Sequence, residues 1–244
     1  MGELIAVLSG KGGTGKTSVC AGIATALAEA DLQVLCIDCD IGLRNLDISL
    51  GLSQEASLSF ADVCQGSYSL EQATAHPQYP TLRFFTAPVN CQPESIDKIA
   101  FRRMLSQARA MFDYVFLDAP AGIDAGFHLA AQYADRVLLV TGPDPAAVRD
   151  ASRAGELLEL MGKTDVRLIV NRINKKMASA IGTTVDDIMD AAGLPLIGVV
   201  PEDPNVTLSA AFSKPLLQHT RRGAAAACRR IAKRLQGQKV TVSL

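Results

Sequence analysis

Gly10-Lys11-Gly12-Gly13-Thr14-Gly15-Lys16-Thr17 stands between an apolar run, Leu4 to Leu8, and a stretch of helical character that begins at Lys16. Strand, glycine-rich loop and helix in that order make a phosphate cradle. Glycines let backbone N–H groups approach anionic oxygens, and the helix N-terminus adds partial positive charge. The spacing is that of a P-loop. In that frame Lys16 reaches the β- and γ-phosphates of a nucleotide and the Thr17 hydroxyl is a magnesium ligand. Gly10, Gly12, Gly13, Thr14, Gly15 and Ser18 complete the loop that wraps the phosphates. The spacing asks for one lysine, and Lys11 is a second.

Working outward, apolar runs recur at Leu4 to Leu8, Val34 to Ile37, Leu82 to Phe85, Tyr114 to Leu117, Val137 to Val140, Val166 to Val170 and Leu196 to Val200. Most are separated by segments of helical periodicity. The alternation predicts an α/β fold, a largely parallel twisted sheet with helices on both faces. Pro93-Glu94-Ser95 is read as opening one long helix to about Met111, and Pro145 as the first turn of another to about Met161. No Pro/Gly-rich linker interrupts the chain, so residues 1–244 are expected to form a single P-loop domain with 237–244 as a short polar tail.

Ligands of such sheets bind beyond the carboxyl ends of the strands. Three acids fall there: Asp38 and Asp40 after one strand, Asp118 after another. Magnesium takes oxygen donors and keeps several waters, so Asp118 and Asp38 read as magnesium-site acids. Asp40 reads as the group that orients or deprotonates the attacking water, and Gly122 as a backbone donor to the γ-phosphate. His76, His128 and His219 are isolated from every motif and read as structural or surface residues.

At 244 residues and 48% hydrophobic content, with 19 glycines, the chain buries a sizeable core and makes many tight turns. A formal charge of −1 excludes a global attraction to nucleic acid or anionic lipid. The charge is uneven, however. No acidic residue follows Asp203, while Lys214, Arg221, Arg222, Arg229, Arg230, Lys233, Arg234 and Lys239 are all basic. The six cysteines are scattered in apolar contexts. Cys36 and Cys39 have C-x-x-C spacing, but three residues apart on a strand they face opposite ways, which argues against metal or redox use. Reduced thiols, the lack of a secretory leader and the lack of a membrane-spanning run point to the cytoplasm.

The Lys11-Gly12-Gly13-Thr14-Gly15-Lys16-Thr17 run resembles the deviant Walker A ATPases, the family of MinD, ParA and the nitrogenase iron protein, in which Lys11 is the signature lysine. Asp40-Ile41-Gly42-Leu43-Arg44-Asn45-Leu46-Asp47 and Asp118-Ala119-Pro120-Ala121-Gly122-Ile123 look like the two switches of the MinD branch. Val148-Arg149-Asp150 and Gly198-Val199-Val200-Pro201-Glu202-Asp203 also resemble it, and the likeness runs from Glu3 to about Gln236. It implies a magnesium-dependent ATPase that dimerises with ATP, Lys11 crossing to the partner subunit's phosphates. It implies catalytic roles for Lys11, Lys16 and Asp40, and it places Asn171 and the backbone near Pro201 beside the adenine.

The same resemblance implies a cell-division-site or positioning switch with a MinC-like or MinE-like regulatory partner, met by Arg149, Asp150 and Arg153. The alternatives are a ParA-like or flagellar-number-type positioning ATPase acting on nonspecific DNA or cargo, and a metallocluster reductase or metal-insertion ATPase. MinD proteins usually carry an amphipathic helix that attaches them to the inner face of the cell membrane. Here Gly223 to about Gln236 has a small, aromatic-free apolar stripe of Ala224, Ala227, Cys228, Ile231, Ala232 and Leu235, which is expected to pack in the core. Peripheral membrane attachment is left open by that reading.

Overall fold

The strand that feeds the loop is buried at every residue but its first, as a central parallel strand must be. The computed structural model describes residues 1–243 except 42, 90, 175, 177–179, 181 and 183; Gly42 of the first switch and Leu244 of the tail therefore lie outside the described residues. The strands are β1 (Glu3–Leu8), β2 (Val34–Asp38), β3 (Thr74–Ala75), β4 (Leu82–Phe85), β5 (Tyr114–Asp118), β6 (Arg136–Thr141), β7 (Val166–Ile173) and β8 (Leu196–Pro201). They form one sheet in the order β3-β4-β2-β5-β1-β6-β7-β8. Every pairing is parallel except β3 with β4. All seven expected strands are present; β3, an edge strand of two residues, is too short to leave a periodic signal.

The described helices are α1 (Lys16–Ala28), α2 (Leu46–Leu50), α3 (Phe60–Cys64), α4 (Lys98–Met111), α5 (Ala125–Tyr133), α6 (Pro145–Leu160), α7 (Val185–Ala192), α8 (Asn205–Ala211), α9 (Leu216–His219) and α10 (Gly223–Leu235). The helix expected from Pro93 starts later. Pro93–Ser95 is a separate 3-10 turn, and Asp97 caps α4 by accepting from the backbone N–H of Ile99 and Ala100 at 2.8 and 3.1 Å. A side-chain acceptor that satisfies two orphan donors sets a helix start more strongly than a proline upstream. At α6, by contrast, Asp144 caps and Pro145 occupies the first turn as expected.

Alternate residues of each strand feed two cores on opposite faces of the sheet. Leu35, Ile37 and Cys39 join α4 and α5 on one side, and Val34 and Cys36 join α1 and α10 on the other. Cys36 and Cys39 are thus separated by the sheet, as period two requires. In α10, Ala224, Ala227, Cys228, Ile231, Ala232 and Leu235 are all buried, so the helix is part of the core, as its stripe predicts. Gly22 on α1 makes its close approach possible: a Cβ there would lie 2.6 Å from Cys228 Sγ.

Candidate nucleotide-binding site

Strand order decides which side chains meet. β1 lies between β5 and β6, and β2 lies on the far side of β5. The loop after β1 therefore opens onto the carboxyl ends of its neighbours. In register, Asp118 stands beside Val7 on one side and Asp38 on the other. The loop itself is shaped by Gly13 and Gly15, at φ 81° and 83°, conformations that L side chains rarely take. Gly10 is demanded by contact instead, since a Cβ there would collide with the carbonyl oxygen of Asp150 in α6.

Lys16 is buried, and its ammonium donates to Asp118 Oδ1 at 2.7 Å and to Thr17 Oγ1 at 3.3 Å. Burial works against its charge, but Asp118 more than offsets that, and the pKa lies above the ordinary lysine value. The predicted phosphate lysine, magnesium hydroxyl and magnesium acid are therefore in one contact. Asp118 Oδ2, Thr14 Oγ1 and Ser9 Oγ are buried without a hydrogen-bond partner among the described residues. Orphaned oxygens of this kind are costly unless a ligand or ion satisfies them.

Hard oxygen donors suit magnesium. Among the described residues no cluster of three or more His, Cys, Asp or Glu makes a protein-only metal cage. The residues present fit a magnesium nucleotide, with Thr17 and Asp118 holding the ion and the loop amides and Lys16 holding phosphate. Bound there, the magnesium would neutralise charge on the phosphate oxygens.

Asp38, read as the second magnesium-site acid, stands in register beside Asp118. It is fully buried, and its two oxygens accept from the backbone N–H of Asp40 at 2.9 Å and of Leu46 at 3.2 Å. Its carboxylate thereby ties the ends of the segment that resembles a switch, Asp40 and Leu46, to the end of β2. Burial and the charge of Asp118 push its pKa up to about 7. Asp40 stays half-buried, and its side chain has no partner among the described residues. Burial raises its pKa against the pull of Lys16. Gly122 is at φ 94°, and its N–H already donates to the Ser9 carbonyl at 3.1 Å. Serving a phosphate would require that bond to open.

Lys11 leaves the loop on the other side. Its ammonium donates to Asp144 Oδ1 at 2.9 Å, and the side chain is 36% exposed. That hydrogen bond is the largest influence holding the Asp144 carboxyl below its usual range. The same oxygen caps α6 through Ala147 N–H. Sequence reading identified Asp144 with neither role; its place before Pro145 signalled a cap, and nothing local signalled the lysine.

Asn171 donates from Nδ2 to the Thr14 carbonyl at 2.7 Å, bracing the loop from below. With Pro201, Ser18 and Gly15 it lines a cleft of about 420 Å³. The residues assigned to the two ends of a nucleotide are therefore adjacent. His76 is 2% exposed with both ring nitrogens engaged, a structural residue as expected.

The profile of the CobQ/CobB/MinD/ParA nucleotide-binding domain matches residues 5–216. The chain belongs to the MinD/ParA family. Among MinD/ParA proteins it is 37% identical to the septum site-determining protein MinD of Synechocystis sp. over 243 residues, 98% of this chain and 91% of that protein. The MinC:MinD cell division protein complex of Aquifex aeolicus contains a chain that superposes with a TM-score of 0.91 at 34% identity, covering 99% of this chain and 98% of that one. MinD of Pyrococcus horikoshii, solved with Mg-ADP, superposes at 0.84 and 26% identity over 96% of both chains. The expected fold class and family are thus both correct.

Proposed function

We propose that this protein is a MinD-like ATPase switch: magnesium-ATP pairs two copies, the pair recruits a division-site or positioning partner, and hydrolysis to ADP and phosphate resets it. The observation that carries this reading is the disposition of the two lysines. Lys16 is sealed inside the site against Asp118, while Lys11, five residues earlier in the same loop, projects from its flank to an exposed carboxylate. A cation outside its own nucleotide cavity is available to a neighbour's. There it would add charge stabilisation in trans, as an arginine finger does.

A regulatory partner fits the same geometry. The α6 helix that begins at Asp144 presents Arg149 and Arg153 to solvent, and its Asp150 carbonyl abuts Gly10 of the loop. A protein comparable to the MinC of the Aquifex complex would, on this face, sit one helix from the phosphates. Among the described residues no helix is long and apolar enough to cross a membrane.

The test is light scattering after gel filtration of the purified protein in Mg-ATP and in Mg-ADP, with Asp40→Ala slowing turnover. Asp40→Ala is expected to be dimeric in Mg-ATP and monomeric in Mg-ADP, and Lys11→Ala monomeric in both. An Asp40→Ala protein that stays monomeric in saturating Mg-ATP overturns the switch. A DNA-positioning role would show instead as ATP-dependent retention on nonspecific DNA that falls steeply with salt.

A further inference from the structure

The α4 helix carries cations along its whole length and nothing to balance them. Between its cap, Asp97, and Asp113 no acidic residue occurs, while Lys98, Arg102, Arg103 and Arg109 all lie on the helix. Arg109 is committed, since its guanidinium donates to the Gly2 carbonyl and to Asp135. The side chains of Lys98, Arg102 and Arg103 are exposed and make no hydrogen bond or ion pair among the described residues.

A groove runs beside them. After α3 the chain turns at Gly66, φ 79°, and closes in a 3-10 turn at Leu70–Gln72. This loop and the later turns of α4 enclose a cavity of about 630 Å³. From the helix come Arg103, Gln107, Ala110 and Met111, spaced to share one face. From the loop side come Val63 and Tyr68. Tyr68 and Met111 remain 43% and 40% exposed, so large apolar surface stands in water next to an unpaired guanidinium. The groove is remote from the phosphate loop: α4 ends just before the amino end of β5, whose carboxyl end carries Asp118.

Tyr, Met and Arg are the residues enriched in the buried centre of protein interfaces. The apolar walls fit an apolar anchor, and the fork of Arg103 fits a carboxylate, which it binds through two parallel hydrogen bonds. Lys98 and Arg102 add attraction for the same sign of charge during approach. A nucleic acid backbone suits the groove less well, because Glu71 also lines it and would repel phosphate.

We propose that the groove between α4 and the loop at 66–71 is a docking site for an acidic segment of a partner protein. An apolar side chain of that segment seats against Tyr68 and Met111, and a carboxylate pairs with Arg103. The site is separate from both the nucleotide cleft and the α6 face.

The experiment is selection of random dodecapeptides displayed on phage against the purified protein, followed by fluorescence anisotropy of the enriched peptides. Wild type is compared with Arg103→Glu, Arg103→Lys, Ala110→Trp and the double variant Arg221→Glu/Arg222→Glu. Enriched peptides are expected to combine several Asp or Glu residues with a large apolar one. Arg103→Glu should weaken them about 10-fold or more by reversing a paired charge, and Arg103→Lys, which keeps the charge without the fork, should fall between. Ala110→Trp should weaken them comparably by filling the groove with every charge left in place. Positions 103 and 110 are both exposed, so melting temperatures should stay near wild type. The double variant, altered on the C-terminal basic face, should bind as wild type does. Acidic peptides lost with the double variant and retained by Arg103→Glu would move the site to that face and overturn the proposal. So would enrichment of peptides without acidic residues, or of none. Mixed-sequence duplex DNA that binds wild type and is lost on Arg103→Glu would assign the helix to nucleic acid and overturn it equally.

Discussion

Lys16 Nζ and Asp118 Oδ1 are 2.7 Å apart, 102 residues distant in sequence, with side chains 6% and 1% exposed. Lysine and carboxylate neutralise one another in the folded protein, so the buried charges are paired. A magnesium nucleotide would exchange this internal pair for two external ones.

Removing one member of this pair should be expensive. Lys16→Ala leaves the Asp118 carboxylate buried and unpaired, a loss of about 3–5 kcal/mol in urea unfolding. The double variant Lys16→Met/Asp118→Leu is expected to recover most of it, because apolar side chains of similar volume replace buried ion pairs at little cost. A double variant no more stable than Lys16→Ala would show that the loop needs the charge to fold.

Lys11 and Asp144 form an exposed pair, so its direct contribution to stability is small. Asp144→Ala also removes the α6 cap and should cost about 1 kcal/mol. Asp144→Ser keeps a capping oxygen and frees Lys11, so stability should stay near wild type. In an Asp40→Ala background, Asp144→Ser is expected to dimerise in Mg-ATP at lower protein concentration, as read by light scattering. An unchanged dimerisation threshold would show that the pair does not restrain Lys11.

His76 pins the end of α2 to the β3–β4 edge. Its Nε2 donates to the Leu50 carbonyl at 2.9 Å, and its Nδ1 accepts from the N–H groups of Gln78 and Tyr79 at 3.1 and 3.3 Å. Burial holds its pKa below the ordinary value, against the Leu50 hydrogen bond and the charge of Glu55, which favour the cation. The unfolded chain takes up the proton near pH 6.5 and the folded chain only at lower pH. The contribution of His76 is therefore complete above about pH 6.5 and is lost as pH falls below it. Urea midpoints measured between pH 7.5 and 5.5 should fall more steeply for wild type than for His76→Gln; parallel curves would refute the assignment.

If α10 is a core helix, truncation there must cost folding energy. Ile231 is fully buried, and Ile231→Ala is expected to lose about 2–5 kcal/mol. Gly22→Ala should lose about 1–3 kcal/mol by forcing α1 away from Cys228. A folded Ile231→Ala protein of wild-type stability would argue that this face packs against something other than its own sheet.

Much of this molecule is legible along the chain. Strand positions follow from buried β-branched runs, and the loop follows from glycines and lysines at fixed spacing. The acids at the strand ends follow because aspartate commonly closes a strand into the turn beyond it. The core face of α10 follows from its 3.6-residue period. The start of α4 was misplaced because a proline and a capping aspartate four residues apart compete for the same boundary, and only the realised hydrogen bonds choose Asp97.

Local pattern is a short-range property, so the sequence by itself determined which elements exist and that a P-loop joins two of them. Which side chains meet depends on strand order, and that is set by how crossovers pack on both faces of the sheet. The placement of β5 between β1 and β2 sets Asp118 against Lys16 and beside Asp38. The docking of α6 on the loop gives Lys11 its aspartate and leaves Gly10 no room for a side chain. The kink at Arg172 is likewise decided in three dimensions, where the register between β7 and β8 breaks and the backbone turns left-handed into the cleft.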